Sequence, residues 1–274
     1  MNAIAASAPS VEAPHFSWSQ WTTFKTCPAK LAYKRSGQPV ERTSSSLCMG
    51  RALHRGIEFM LQARMEGRSL PGLDEVLGQF DLEWADAKKA APEIVFAKKE
   101  NDVSVRETAS RMFVAMAEHF SAETEPGTIL GIENELKFTL VESAPEIHAR
   151  VDLIEKVGAD LLRVTDFKSS KNRWPEGGGD KLREQTGQLV VYGMGLIDLM
   201  HAVNAKKVQV RFVVVSKAKT PRVDIFTPVP TADDVRRLKT DLAETWDAIT
   251  RGVFPRREGW WCKSCEFRTA CQSR

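Results

Sequence analysis

The stretch from Arg150 to Lys168 constrains this chain more than any other. Val151, Leu153, Ile154 and Val157 mark one strand, and Leu161, Leu162, Val164 and Phe167 mark a second. Gly158, Ala159 and Asp160 between them tolerate the backbone angles of a tight turn, so the pattern predicts a β-hairpin. Antiparallel pairing about that turn sets residues whose numbers sum to about 318 opposite one another. Asp152 and Asp166 form such a pair, and Asp166 and Lys168, two residues apart, share a face. Two carboxylates and an ammonium then converge at one end of an otherwise apolar ribbon.

Adjacent carboxylates repel, and each raises the other's pKa unless a cation lies between them. Hard oxygen ligands with open positions suit Mg2+ or Mn2+. A lysine beside such an ion orients a water or helps to deprotonate it. The plain alternative is a surface salt bridge from Lys168 to either aspartate on a solvated sheet face, and the rest of the chain has to decide between the two.

The length of 274 residues suits one large domain or two small ones with a sizeable core. The net charge of +3, from 39 basic and 36 acidic residues, permits nucleic-acid binding without demanding it. No apolar run approaches the roughly 20 residues that span a bilayer. The N-terminus lacks the charged region and apolar core of a signal peptide, and residues 1–15 are expected to form a flexible tail. Five cysteines, an odd number, without a secretory signal argue for a reducing compartment, the cytoplasm, and against a disulfide framework.

Ser17 or Ser19 suits a helix N-cap ahead of Trp18, Trp21 and Phe24, and Pro28 suits the first turn of a second helix. Residues 47–64 read as an amphipathic helix with Leu53, Ile57, Met60 and Leu61 on its apolar stripe. Gly50 and His54 share a face one turn apart, which leaves room beside the histidine; a lone helical histidine is otherwise a surface or satisfied core residue. Helices over 73–89 and 102–122 look like scaffold. A strand from Thr128 carries Glu133 and Glu135, and a carboxylate there would either join the metal group or lie on a solvated edge.

After Lys168, the basic residues Lys171, Arg173, Lys181 and Arg183 with Trp174 suggest a mobile loop. Such a loop would track a phosphate backbone and stack a base, or serve as an ordinary solvated connection. One helix is expected from about 180 to 202, with Gln188 and Tyr192 one turn apart on one face. Strands follow at 207–215 and 222–226, then a helix capped by Thr231.

Cys262, Cys265 and Cys271 place three thiols within ten residues, one short of a four-thiolate site. Cys27, at a break before Pro28, is the best fourth ligand, and Cys48 reads as packing. Such a site would close a loop of roughly 235 residues and remove much unfolded-state freedom. Spacing alone leaves both Zn2+ and a [4Fe–4S] cluster open.

Taken in order, Gly50-x3-His54, Glu133, Asp152, Asp166-Phe167-Lys168 and Gln188-x3-Tyr192 resemble the motifs of the PD-(D/E)xK nucleases. The variant they resemble is the RecB-like branch that includes CRISPR-adaptation and AddB-type nuclease domains. The opening Ser17-x-Ser19, Phe24, Cys27-Pro28 and the closing cysteines resemble its iron–sulfur members. One departure is Ala149 where the first acidic motif often has glycine.

The resemblance implies an α/β restriction-endonuclease-like core, with a central mixed sheet flanked by helices. It covers residues 16–274 as a single domain, with a helical insertion at about 66–125 and a cysteine cluster at 260–274. It implies Mg2+ or Mn2+ held by Asp152, Asp166, the Phe167 carbonyl, His54 and, less directly, Glu133. Lys168 would activate water, Gln188 and Tyr192 would orient the lysine or contact nucleic acid, and Cys27, Cys262, Cys265 and Cys271 would carry a structural [4Fe–4S] cluster. The implied activity is a DNA exonuclease in recombination, repair or phage- or CRISPR-related processing. No G-x4-G-K-[ST] motif appears, so a helicase or other DNA-processing partner would be a separate chain. A non-catalytic DNA-binding or assembly subunit that keeps its metal cluster is the alternative.

Overall fold

The computed structural model describes residues 15–273. Residues 1–14, most of the expected tail, lie outside the described residues.

Strand β1 (Phe16–Ser17) leads into α1 (Trp18–Thr26), and α2 (Pro28–Arg35) follows. Ser17 caps α1 by accepting the Gln20 N–H, and Pro28 opens α2 where no intrahelical donor is needed. Next come β2 (Arg42–Ser44), α3 (Ser45–Met65), α4 (Leu73–Ala90), β3 (Glu93–Val95) and α5 (Asp102–Ala122). The long strands β4 (Thr128–Phe138), β5 (Ile147–Val157) and β6 (Leu161–Ser170) precede α6 (Gly179–Gly195) and α7 (Ile197–Ala202). The chain ends with β7 (Lys207–Ser216), β8 (Val223–Phe226), α8 (Ala232–Thr250), a 3-10 turn at Trp260–Ser264 and α9 (Arg268–Gln272).

Among the described residues, six strands form one mixed sheet in the order β1-β5-β6-β7-β8, with β4 also paired to β5. The β4/β5, β5/β6 and β7/β8 pairs are antiparallel; β1/β5 and β6/β7 are parallel. The expected hairpin register holds, since Leu153 faces Thr165 and Val157 faces Leu161. β1 and β6 share one edge of β5, with β1 at Ile147–His148 and β6 from Leu153 onward. The stretch between them has no ladder partner on that edge, and Asp152 sits in it.

Two apolar cores flank the sheet. One packs Leu189 of α6, Leu196 just after it and Leu242 of α8 on Val164 and Phe212. The other packs α3, α4 and α5 through Leu53, Phe80 and Phe113 on Leu153, Phe167 and Val213. At the C-terminal end of α5, Glu123 meets Arg64 (3.0 Å), Arg163 (3.2 Å) and Arg211 (3.0 Å), tying α3 and α5 to β6 and β7. No helix among the described residues is long and apolar enough to cross a membrane.

Two expectations need correction. The helix expected from 180 to 202 breaks into α6 and α7 at Leu196, which is fully buried. There the backbone of Gly195 passes so close to the sheet that a Cβ would lie 2.5 Å from the Phe138 ring. Trp174 is not available to stack a base. It is buried between Phe212 and Phe226, and its indole N–H donates to the Ser170 hydroxyl (3.2 Å). The charge around it is also engaged: Arg173 forks onto Asp224, Lys181 meets Glu184 and Arg183 meets Asp180.

Candidate active site

Where β6 leaves β5, a side chain takes over from the ladder. The Asp152 carboxylate accepts the Phe167 N–H at 2.7 Å. Val151 packs in the core under α6 and Leu153 in the core under α3, although strict alternation would put them on one face. β5 therefore turns over at Asp152. Opposite it, β4 is irregular too. Glu133 takes a left-handed backbone with φ of 51°, and the ladder pairs Ile132 with Leu153 and Asn134 with Val151 without a 133/152 pair. A non-glycine residue in that region costs about 1–3 kcal/mol, strain that persists only where surrounding structure over-determines it. Here it brings the Glu133 carboxylate to within 3.9 Å of His54 Nδ1.

His54 comes from α3, whose buried stripe of Leu53, Ile57 and Leu61 fixes the helix on the sheet. Its Nδ1 lies 3.4 Å from Asp152 Oδ2. His54, Glu133 and Asp152 bring ligand atoms within 4.8 Å of one another. Burial opposes the imidazolium, but Asp152 and Glu133 outweigh it, and His54 is pushed up to about 10.

Asp166 is almost fully buried. Its Oδ1 accepts from Gln188 Nε2 (2.9 Å) and from the Tyr192 hydroxyl (3.1 Å). The Lys168 ammonium lies 2.7 Å from Oδ2 as a charge-assisted contact. Burial pushes the Asp166 carboxyl up, with Lys168 opposing and Asp152 reinforcing the rise. Lys168 in turn donates to Gln188 Oε1 (2.9 Å). Gln188 also donates to the Tyr192 oxygen (2.6 Å), so the one amide fixes both the lysine and the tyrosine. Burial, then Asp166, holds the Tyr192 phenol well above its usual range.

All these side chains line one cavity of about 880 Å3 between α3, α4 and the sheet. Gly50 lines it as well, and a Cβ there would meet nothing within 4 Å, the open space expected beside His54. The donor set fits a hard divalent cation: the ligand atoms of His54, Glu133 and Asp152 converge, and the Asp166 carboxylate lines the same cavity. Sequence reasoning missed one wall. Helix α4, read as scaffold, contributes Gln79, Leu82, Glu83 and Asp86 to the cavity while its other face packs the core.

A family model, that of the PD-(D/E)XK nuclease superfamily, matches residues 15–272. The chain belongs to this superfamily. Asp166-Phe167-Lys168 has the D-x-K form from which the superfamily takes part of its name. A crystal structure of a candidate exonuclease from Eubacterium rectale is similar at 12% identity with a TM-score of 0.56, covering 93% of this chain and 87% of that one. The structure of SSO0001 aligns at 14% identity and a TM-score of 0.41, over 96% of this chain and 87% of that one. No curated protein matches the chain.

Four of the five cysteines, one between the first two helices and three in the C-terminal segment, come together. Cys27, Cys262, Cys265 and Cys271 line one cavity of about 400 Å3, whereas Cys48 is buried beside Met49 in the α3 core. Glu41 accepts the N–H groups of Thr269 (2.9 Å) and Ala270 (3.1 Å), and Glu266 meets Lys30 (3.3 Å), so the C-terminal segment is fastened to the first helices.

Proposed function

We propose that this chain is a Mg2+- or Mn2+-dependent deoxyribonuclease of the RecB-like branch. We further propose that it works as an exonuclease in recombination, repair or phage- or CRISPR-related DNA processing, alongside a separate helicase or other processing protein. The observation that carries the reading is the convergence of His54, Glu133, Asp152, Asp166 and Lys168 in one cavity. His54, Asp152, Asp166 and the Phe167 carbonyl are the ligands proposed for the ion, with Glu133 as a further one. A divalent ion in this position lowers the pKa of water and stabilises charge developing on a scissile phosphate. Lys168 holds and orients the attacking water, and its ammonium is itself aimed by Gln188. Tyr192 and Gln188 lock the Asp166 carboxylate in one orientation.

Residues 16–274 are proposed as a single nuclease domain in which 66–125 is a helical insertion. The packing of α4 and α5 with α3 on the sheet in one core supports this. Cys27, Cys262, Cys265 and Cys271 are proposed to hold a structural [4Fe–4S] cluster, which their common cavity supports.

Anaerobic purification followed by a visible spectrum, iron and sulfide analysis, and cleavage of end-labelled single-stranded and duplex DNA tests the proposal. A brown protein that releases mononucleotides or short products with Mg2+ or Mn2+ supports it. A colourless zinc protein that cuts would remove the cluster, and a brown protein that binds DNA without cutting would make the chain a non-catalytic subunit.

A further inference from the structure

The arginines that line the active-site cavity all meet carboxylates. Arg150 meets Glu133 (3.7 Å), Arg55 meets Glu58 (2.8 Å) on the same helix, and Arg51 on α3 meets Glu83 on α4 (2.7 Å). Only the last of these three joins the two helical walls. Glu133 belongs to the proposed metal group, so its charge is committed there, and Arg55 and Glu58 are a local pair one turn apart. The Arg51 side chain is 59% exposed and that of Glu83 23%, which makes their contact a weak, exchangeable one.

Position gives Arg51 a use. It precedes His54 by three residues, about 4.5 Å along the helix axis. Open space lies beside it at Gly50. Arg51 lines the same cavity as His54, Asp152 and Asp166, so a strand that leaves a scissile phosphate there along α3 would bring its next phosphate to the Arg51 guanidinium, whose planar fork suits phosphate oxygens.

We propose that Arg51 clamps the phosphate next to the scissile one, and that Glu83 is the resting acceptor which Arg51 leaves when nucleic acid enters. Glu83 thereby sets affinity through Arg51, because it occupies the clamp. The inference rests on the nuclease reading above.

The test is fluorescence anisotropy of a labelled oligonucleotide with Ca2+ in place of Mg2+, on the full chain, across a salt series, with Mg2+-dependent cleavage measured in parallel. Arg51→Ala is expected to weaken binding about tenfold and to reduce the salt slope by about 0.9, the loss of one phosphate contact. Arg51→Lys recovers part of the affinity, and Glu83→Gln tightens binding several-fold. In the double variant the gain from Glu83→Gln disappears, because it acts through Arg51. Changes below twofold for both single variants in a wild-type protein that binds and cuts would overturn the clamp and leave the nuclease standing. A Glu83→Gln gain that persists without Arg51 would also overturn it, since Glu83 would then act by general repulsion. A wild-type chain that neither binds nor cuts overturns both readings.

Discussion

Metal binding at this site is expected to expel a proton. His54 is pushed up to about 10 by the neighbouring carboxylates, so at pH 7.5 its ring is almost wholly protonated in the metal-free protein. Coordination requires the neutral ring. Each ion bound through His54 therefore displaces close to one proton, and affinity rises about tenfold, or ~1.4 kcal/mol, per pH unit below that value. The raised Asp166 carboxyl adds a further fraction at the acid end. Titration calorimetry of Mn2+ in two buffers of different ionisation enthalpy at one pH reads the protons directly. Wild type should release close to one, and His54→Gln far fewer, with a shallower pH dependence. A flat affinity between pH 6.5 and 8.5, or equal release from both proteins, would refute the electrostatic account of the site. Stability carries the opposite sign. Because the folded His54 value lies above the unfolded one, its contribution in the metal-free protein is full below about 6.5 and is lost as pH rises through about 10. The metal-free Tm should fall over that window, and less so in His54→Gln.

Tyr192→Phe removes the hydroxyl that donates to Asp166 and accepts from Gln188, so metal affinity or activity should drop roughly 10–100-fold with metal still bound at saturation; cleavage rates at saturating Mg2+ check this. Trp174→Ala should destabilise the fold by about 3–5 kcal/mol in denaturant unfolding, yet leave DNA affinity unchanged where the protein stays folded, because the indole is core. Cys27→Ser should abolish the visible absorbance of the proposed cluster and expose the C-terminal segment to proteolysis before the sheet, which limited digestion would show.

Much of the site was legible because a hairpin converts spacing directly into geometry. The turn at Gly158 fixed the register from Leu153/Thr165 to Val157/Leu161, and just beyond that ladder the Asp152 carboxylate accepts the Phe167 N–H. Periodicity likewise located α3 and α5 to within a few residues, since each carries a regular buried stripe, and the Thr231 cap located α8. It failed where the backbone departs from regularity. Nothing in the spacing announces the left-handed Glu133 or the turnover of β5 at Asp152, because both depend on which strands occupy the edges of β5. Trp174 was misread because a polar, glycine-rich neighbourhood hides that its ring reaches Phe212 and Phe226, residues 38 and 52 positions later. Helix α4 looked like scaffold because its apolar face does pack, while its polar face meets the cavity only through tertiary placement.

The central claim is that Asp166 and Lys168 form the working centre of a metal-dependent nuclease, and one comparison tests it most directly. Wild type, Asp166→Asn and Lys168→Ala are incubated with end-labelled DNA in Mg2+, Mn2+ or chelator, with binding measured on the same samples. Metal-dependent cleavage by wild type, a loss of at least ~10²-fold in both variants and retained DNA binding are predicted, the range a positioned proton-transfer group supplies. Cleavage by either variant at the wild-type rate, or cleavage that survives chelator, would contradict it.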